Sequence, residues 1–275
     1  MRGDLMETTT KNDLENNSNN LKASGISGAS PIRYVTSDLH EEASLEDLRE
    51  GRQFLKYSFF KFLPQWRNMS SQEKQYAESD LTSILDSFSS SMIVKTFSLI
   101  GTRGDCDFMI WTISEKLEDF QGMISDILKS RIGKFLEIPY SYLSMTRRSE
   151  YIKEHKHRGQ EGDSLKKVPG KAKYLFVYPF VKKREWYNLP QAERQRMMMD
   201  HVRIGHKYPS VKINTSYSFG LDDQEFVLSF ESDYPSDFLE LVMELRSSEV
   251  SRYTLLETPI FTCIACSFTE LIQLF

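Results

Sequence analysis

The stretch GDCDFMIWTIS at residues 104–114 is echoed by DDQEFVLSFES at residues 222–232, an interval of 118 positions. Other landmarks recur at nearly the same interval: Gln72 with Gln191, and Asp119-Phe120 with Asp237-Phe238. A repeat at a fixed spacing indicates that one structural unit is used twice.

Both halves of the chain show the same order of predicted elements. The first half predicts a strand over 53–62, a helix over 70–88, a strand pair over 92–113, a helix over 117–130 and a strand over 138–146. The second predicts a strand over 173–182, a helix over 190–205, a strand pair over 211–231, a helix over 235–252 and a strand over 258–267. This is the ferredoxin-like order. We therefore predict an α+β fold in which two ferredoxin-like repeats form a dimeric α/β barrel unit; two independent α+β domains are the alternative.

Composition divides the chain further. Residues 1–50 begin with an Asn- and Ser-rich stretch and predict a disordered or loosely docked arm. The first repeat is expected over 51–149 and the second over 173–275, with the binding site in the second. The charged, Gly-containing stretch 150–172 between them predicts a linker.

Several classes of function are excluded by composition. The net charge of the 275 residues is −4, which argues against a nucleic-acid-coating role. No apolar stretch reaches the 18 residues of a membrane-spanning helix, and the polar N-terminus lacks the core of a signal peptide. Three cysteines make no disulfide framework, and Cys263 and Cys266 lie in an apolar run typical of buried thiols. We expect a cytoplasmic protein.

The strand KYLFVYPFVK at residues 173–182 brings a phenol and an ammonium group to one face. With a period of two, Tyr178, Phe180 and Lys182 share a face, whereas Leu175 and Val177 share the other. Because both faces are apolar, we expect the strand to be covered on each. The alternative is a core tyrosine with a bonded hydroxyl and a lysine at the strand end.

The helix after Pro190 carries a histidine among methionines. Arg194, Met197, Met198 and His201 follow helical spacing on one face. A neutral imidazole in such a place is a competent axial ligand for iron, and a satisfied core histidine is the alternative.

The stretch ELRSSEVSRY at residues 244–253 places Arg246 and Ser251 near the end of a predicted helix. An arginine with a hydroxyl is a common arrangement for holding a carboxylate. A basic residue there also stabilises the helix dipole without any further role.

Together these residues resemble a known family. The sequences YPFVKK (178–183), WYNLPQAERQRMMMDH (186–201), SYSFGLDDQEF (216–226) and LRSSEVSRY (245–253) are similar to those of the chlorite dismutase-like haem proteins, in the coproheme decarboxylase branch. The resemblance covers most of residues 173–262, and it implies two ferredoxin-like repeats in one barrel unit, assembled as a homopentamer.

The resemblance also implies a reaction. Iron coproporphyrin III (coproheme) would be both substrate and redox centre, and hydrogen peroxide the oxidant. Two propionates would become vinyl groups, giving haem b. Tyr178 would form a radical and Lys182 would assist it. His201 would be the axial ligand of the iron. Arg246 and Ser251 would hold a propionate.

Other positions distinguish the branches of the family. Chlorite dismutases need a distal arginine on the strand after His201, where this chain offers either Ile213 or Asn214. We take Asn214 as a porphyrin contact and Phe180 as an apolar wall. Glu249 is the candidate carboxylate partner of His201. A chlorite dismutase, a weak haem peroxidase and a non-catalytic haem-binding protein of the same fold remain the alternatives.

Overall fold

The structure, a computed structural model, describes residues 51–151 and 165–274. The predicted arm at residues 1–50 and the central part of the predicted linker lie outside the described residues. The proposed division into arm, repeats and linker therefore stays a prediction. Within the described residues, no helix has the length and apolar character needed to cross a membrane.

The first half alternates strands and helices in the predicted order. Its elements are β1 (Phe54–Phe62), α1 (Ser71–Phe88), β2 (Ile93–Ser98), β3 (Phe108–Ser114), α2 (Leu117–Lys129) and β4 (Leu136–Met145). Helix α1 begins with a capping box, in which the Ser70 hydroxyl accepts from the Glu73 backbone and the Glu73 carboxylate accepts from the Ser70 backbone. This reciprocal pair satisfies two otherwise unbonded N–H groups.

The second half repeats that order with small additions. Its elements are β5 (Tyr174–Lys182), α3 (Arg184–Asn188), α4 (Gln191–Gly205), β6 (Lys212–Tyr217), β7 (Phe226–Ser232), α5 (Pro235–Ser247), β8 (Thr254–Leu256), β9 (Phe261–Ala265) and α6 (Phe268–Ile272). Short α6 follows the repeated order and packs on the first half.

All nine strands belong to one sheet in the order β7-β6-β4-β1-β3-β2-β9-β5-β8, and β5 also pairs with β7. The β5–β7 pairing closes the sheet into a barrel. Each half keeps its ferredoxin-like strand order, and the halves join where β4 meets β6 and β2 meets β9. The predicted fold class, two ferredoxin-like repeats in one barrel unit, is confirmed.

The barrel wall has a different set of side chains on each face. Its inside is filled by both halves, including Tyr57, Trp111, Val177 and Phe261. On the outside of the first half, α1, α2 and α6 pack directly on the sheet through a large apolar cluster. Outside the second half, the only fully buried residues of α4 are Met197 and Gly205. Because α4 lacks a continuous apolar stripe, its contact with the sheet is less complete.

Two predicted boundaries are wrong in detail. The helix expected to reach residue 252 ends at Ser247, and a separate 3-10 turn runs from Glu249 to Tyr253. Ser248 is extended, and its hydroxyl donates to the Leu245 carbonyl at 2.5 Å. Serine hydroxyls compete in this way for backbone partners and favour helix ends. The strand expected over 258–267 is shorter, Phe261–Ala265, and is preceded by β8.

Gly133 provides a test of packing in the first half. A Cβ there would overlap the backbone oxygen of Ile127 and lie 2.5 Å from that of Leu128, whereas a Cβ at Gly104 would meet nothing within 4 Å. Gly133→Ala should lower the free energy of unfolding by about 2 kcal/mol, because backbone atoms must move to make room. Gly104→Ala is the control and should be close to neutral. Urea denaturation measures both, and equal stabilities would contradict the packing described.

Candidate active site

A cavity of about 1180 Å³ opens on the outer face of the second half. Its walls come from β5, β6 and β7 on the sheet side and from α4 and α5 on the helix side. Small-molecule sites usually measure roughly 300–1,000 Å³, so this one suits a large ligand. All seven predicted site residues border it: Tyr178, Phe180, Lys182, His201, Asn214, Arg246 and Ser251.

Tyr178 reaches the cavity from the middle of β5. Alternation along this strand is as predicted, since Leu175 and Val177 belong to the barrel interior and Tyr178 packs with the outer cluster. The ring stacks on Phe230 with 5.7 Å between centroids. Within the described residues its hydroxyl makes no hydrogen bond. Burial raises the pKa of Tyr178, the charge of Glu257 raises it further and Arg246 lowers it, so the phenol is protonated at neutral pH.

His201 lies on the face of α4 that borders the cavity. Its Nδ1 atom is buried and has no hydrogen-bond partner in the described part of the chain. Burial lowers the pKa of His201 to about 4, and the nearby charge of Lys182 contributes. The imidazole is therefore neutral at physiological pH and offers a lone pair. These properties fit an axial ligand for a porphyrin iron.

The suggested partnership between Glu249 and His201 is wrong. The Glu249 carboxylate accepts a hydrogen bond from Arg196 Nη2 at 2.8 Å, and both side chains are largely exposed. Because residue 249 lies in the 3-10 turn after α5 rather than in a continuous helix, its side chain points to the outer surface of α4.

Lys182 lies close enough to His201 for its charge to act on the imidazole. The sequence alone does not indicate this proximity. Its Nζ atom is 4.1 Å from the ring centroid of Trp186, a cation–π contact. Burial lowers the pKa of Lys182 to about 8, against the opposing charge of Glu225. The Glu225 carboxylate accepts hydrogen bonds from the Lys182 backbone at 2.8 Å and from the Tyr187 hydroxyl at 2.5 Å. This lysine can therefore exchange a proton near neutral pH.

Arg246 and Ser251 meet at the end of α5. Arg246 Nη2 lies 2.6 Å from Glu257 Oε1, and both side chains border the cavity. The Ser251 hydroxyl donates to the backbone oxygens of Arg246 and Ser248, each at 2.7 Å. Ser251 thus supports the turn that carries the guanidinium group.

The register of β6 distinguishes Ile213 from Asn214. Ile213 pairs with Phe230 and packs in the outer cluster with Tyr178. Asn214 is buried on the opposite face of β6, where its Nδ2 donates to Glu231 Oε1 at 2.9 Å. Asn214 therefore borders the cavity without turning its amide toward Tyr178. The apolar Ile213 faces that side instead. Phe180 lies edge-on to Phe226 and adds to the same apolar wall.

Positive charge is concentrated around this cavity although the whole chain is acidic. Two glutamates border it, Glu150 and Glu257, against eight basic residues: Arg52, Arg147, Lys166, Lys167, Lys182, Arg194, Lys212 and Arg246. The predicted site residues include only two of these cations, Lys182 and Arg246. Arg52 and Arg147 were missed because they flank β1 and β4 in the first half, where no motif was recognised. The pairing of β1 with β4, which the ferredoxin-like order implies, is the signal that could have brought them together.

Comparisons with known proteins identify the family of this chain. The family model described as chlorite dismutase matches residues 74–266. The chain belongs to the chlorite dismutase family. A coproheme decarboxylase from Mycolicibacterium smegmatis is 35% identical over 177 residues, which cover 64% of this chain and 74% of that protein.

Solved structures of the same family share the fold. Chlorite dismutase from Candidatus Nitrospira defluvii, in complex with imidazole, is 21% identical with a TM-score of 0.73, covering 80% of this chain and 94% of that one. A mutant of that enzyme is 20% identical with a TM-score of 0.73, covering 84% and 98%. At this level of identity the likeness shows the fold alone.

The protonation of His201 is a direct test of the site. The imidazole should stay neutral as the pH falls to about 4, because its desolvated site disfavours the charged form. The unfolded chain takes up that proton near pH 6.5, so this residue makes stability fall as the pH drops from about 6.5 toward 4. Lys182→Met should raise the pKa of His201, and Lys183→Met, at an exposed neighbouring position, should not. NMR titration without porphyrin measures the pKa of His201 in the parent protein and in both variants. Equal pKa values in all three would contradict the electrostatic contact between Lys182 and His201.

Proposed function

We propose that this chain is a coproheme decarboxylase, which uses hydrogen peroxide to convert two propionates of iron coproporphyrin III into vinyl groups and so produces haem b. One observation carries the proposal: Tyr178, His201 and Arg246 border one large cavity that has an excess of basic residues. The 35% identical relative bears the same activity in its name.

The charge of the cavity matches the substrate. Coproheme carries four propionates, whereas haem b retains two. Bringing carboxylates into a partly apolar site costs several kcal/mol per ion unless cations and hydrogen bonds compensate for lost water. Eight basic side chains around the cavity supply that compensation. Leu228 and Phe230, on the sheet side, offer an apolar surface for the macrocycle.

His201 is proposed to hold the iron of the substrate. The neutral imidazole needs to lose no proton before binding, because burial keeps it in that form and the charge of Lys182 contributes. When bound, the porphyrin iron supplies the redox chemistry that passes the oxidising power of peroxide to the protein.

Tyr178 is proposed to carry out the attack on the propionate. Since its phenol is protonated, oxidation to the neutral radical releases a proton with the electron. The radical then takes a hydrogen atom from the β-carbon, after which CO2 and a second electron leave. Each propionate thus yields a vinyl group, CO2, one proton and two electrons. One peroxide takes up the two electrons and two protons and becomes two waters.

Arg246 is proposed to position the reacting propionate beside Tyr178. The Glu257 carboxylate is paired with the guanidinium of Arg246, with 2.6 Å between Oε1 and Nη2. The arginine has further N–H groups with which to bind a second carboxylate. Ser251 supports this turn, and its hydroxyl can also rotate toward a propionate. Holding the β-carbon close to the phenol matters as much as the reactivity of the radical.

Lys182 is proposed to return protons during the reaction. Its pKa of about 8 allows it to give and recover a proton near neutral pH. Its place beside Trp186 and His201 indicates that it acts from the histidine side of the cavity.

Chlorite decomposition, the second candidate, receives less support. That reaction benefits from a cation near the iron on the face opposite the histidine. Of the two candidate positions on β6, the one that shares a face with Tyr178 is Ile213, which has no charge and no hydrogen-bond donor. A non-catalytic haem carrier would have no need of a phenol at this position.

We also propose a cytoplasmic homo-oligomer, a pentamer by family resemblance. Exposed apolar side chains on α5, Leu239 and Met243, lie four residues apart and support contact with another subunit.

Replacing Tyr178 tests the reaction. Tyr178→Phe should bind coproheme with nearly unchanged affinity but decarboxylate it at least about 100-fold more slowly, because the lost hydroxyl acts only in the reacting complex. Tyr174→Phe is the matched control, since Tyr174 lies on the same face of β5 without bordering the cavity. Mass spectrometry after peroxide addition measures successive CO2 losses. Haem b formed by Tyr178→Phe at the normal rate would refute the radical role.

A further inference from the structure

Two arginines of the first half border the same cavity as Tyr178. Arg52 lies two residues before β1 and Arg147 two residues after β4, and both border the cavity. Strands β1 and β4 pair in antiparallel register from Phe54 with Met145, which brings the two arginines together. They are contributed by the half of the chain in which the sequence motifs predicted no function.

Among residues 51–151 and 165–274, Arg52 has no compensating anion. In the described residues its side chain makes no ion pair, and its polar contact is with Met145 Sδ at 3.9 Å from Nη1. Burial lowers the pKa of Arg52, and the positive charge of Arg147 lowers it further. Two like charges held together in a partly buried place are unfavourable until an anion binds between them.

Arg147 is held in a defined position. Its guanidinium carbon lies 5.5 Å from the ring centroid of Tyr217, and its Nη2 lies 2.6 Å from Glu150 Oε1. Stacking on an aromatic ring fixes the plane of the guanidinium while leaving N–H groups at its edge available. An ordered arginine beside an uncompensated one forms a site for carboxylates.

The distance between Tyr178 and the end of β4, near Arg147, matches the width of a porphyrin. Across the sheet, Tyr178 pairs with Leu228 and Leu228 pairs with Thr215. Near Thr215 on β6, Tyr217 pairs with Met145 of β4. Three strand spacings of about 4.8 Å separate β5 from β4, about 14 Å in total. This is comparable with the width of a tetrapyrrole and its side arms.

We propose that Arg52 and Arg147 bind the propionates that the reaction leaves intact. This inference rests on the proposed function. Anchoring one edge of the macrocycle here presents the opposite edge to Tyr178 and Arg246. The choice of two propionates among four chemically similar ones then follows from orientation in the cavity rather than from reactivity.

Binding of three iron porphyrins without peroxide tests the proposal. Coproheme has all four propionates, haem b has only the retained pair, and the dimethyl ester of haem b has no free carboxylate. Arg52→Gln and Arg147→Gln should each lower the affinity for coproheme and for haem b by the same factor, about 10-fold for one lost charged contact. Binding of the ester should not change. Arg246→Gln should lower the affinity for coproheme only.

Arg203→Gln, at an exposed position of α4, is the matched control and should bind all three porphyrins normally. Unchanged haem b affinity in Arg52→Gln and Arg147→Gln, or a loss confined to coproheme, would overturn the proposal. If either glutamine variant melts earlier than the parent, Arg52→Lys and Arg147→Lys replace it; they should lose part of the affinity for both acids and none for the ester. A wild-type protein that binds as described but forms no vinyl product would refute the proposed function and leave the arginine site supported.

Discussion

The structure depends on β5 being apolar on both faces and paired on both edges. Leu175 and Val177 close the inside of the barrel, while Phe176 and Tyr178 form part of the outer wall. Pairing of β5 with β7 completes the ring of strands, and pairing with β9 joins it to the first half. The phenol of Tyr178 therefore lies on one of the most constrained strands of the molecule. Sites on rigid elements hold a reacting group more precisely than sites on loops.

Duplication of one unit has produced two unequal halves. In the first, apolar residues such as Leu81, Leu85 and Ile127 seal the helices onto the sheet. In the second, α4 places Arg194 and His201 beside Met198 on this side, and a cavity remains. The first half still serves the cavity, because the junction of β4 with β6 brings its charged strand ends to the rim. Stability and binding are thus divided between copies of the same fold.

Electrostatics in the cavity follow from burial without full pairing. Neutral His201, Lys182 with a lowered pKa and protonated Tyr178 are three results of the same desolvation. Carboxylates offset only part of the positive charge, through Glu150, Glu257 and Glu231. An excess of positive charge retained in a partly apolar site is unfavourable for folding alone. It becomes favourable when a polyanionic ligand enters, which is the physical link between this architecture and a porphyrin with four propionates.

The sequence by itself determined the duplication, the ferredoxin-like order and the face of β5 that carries Tyr178, because these depend on local periodicity and spacing. It also predicted seven site residues, all of which border one cavity in the structure. Only the tertiary structure decided that Ile213 rather than Asn214 faces Tyr178, because a shift of one residue reverses every side chain of a strand. It also decided that Glu249 pairs with Arg196, and that Arg52 and Arg147 reach the rim. Those contacts join residues far apart in sequence, and their geometry depends on how strands from both halves close one barrel.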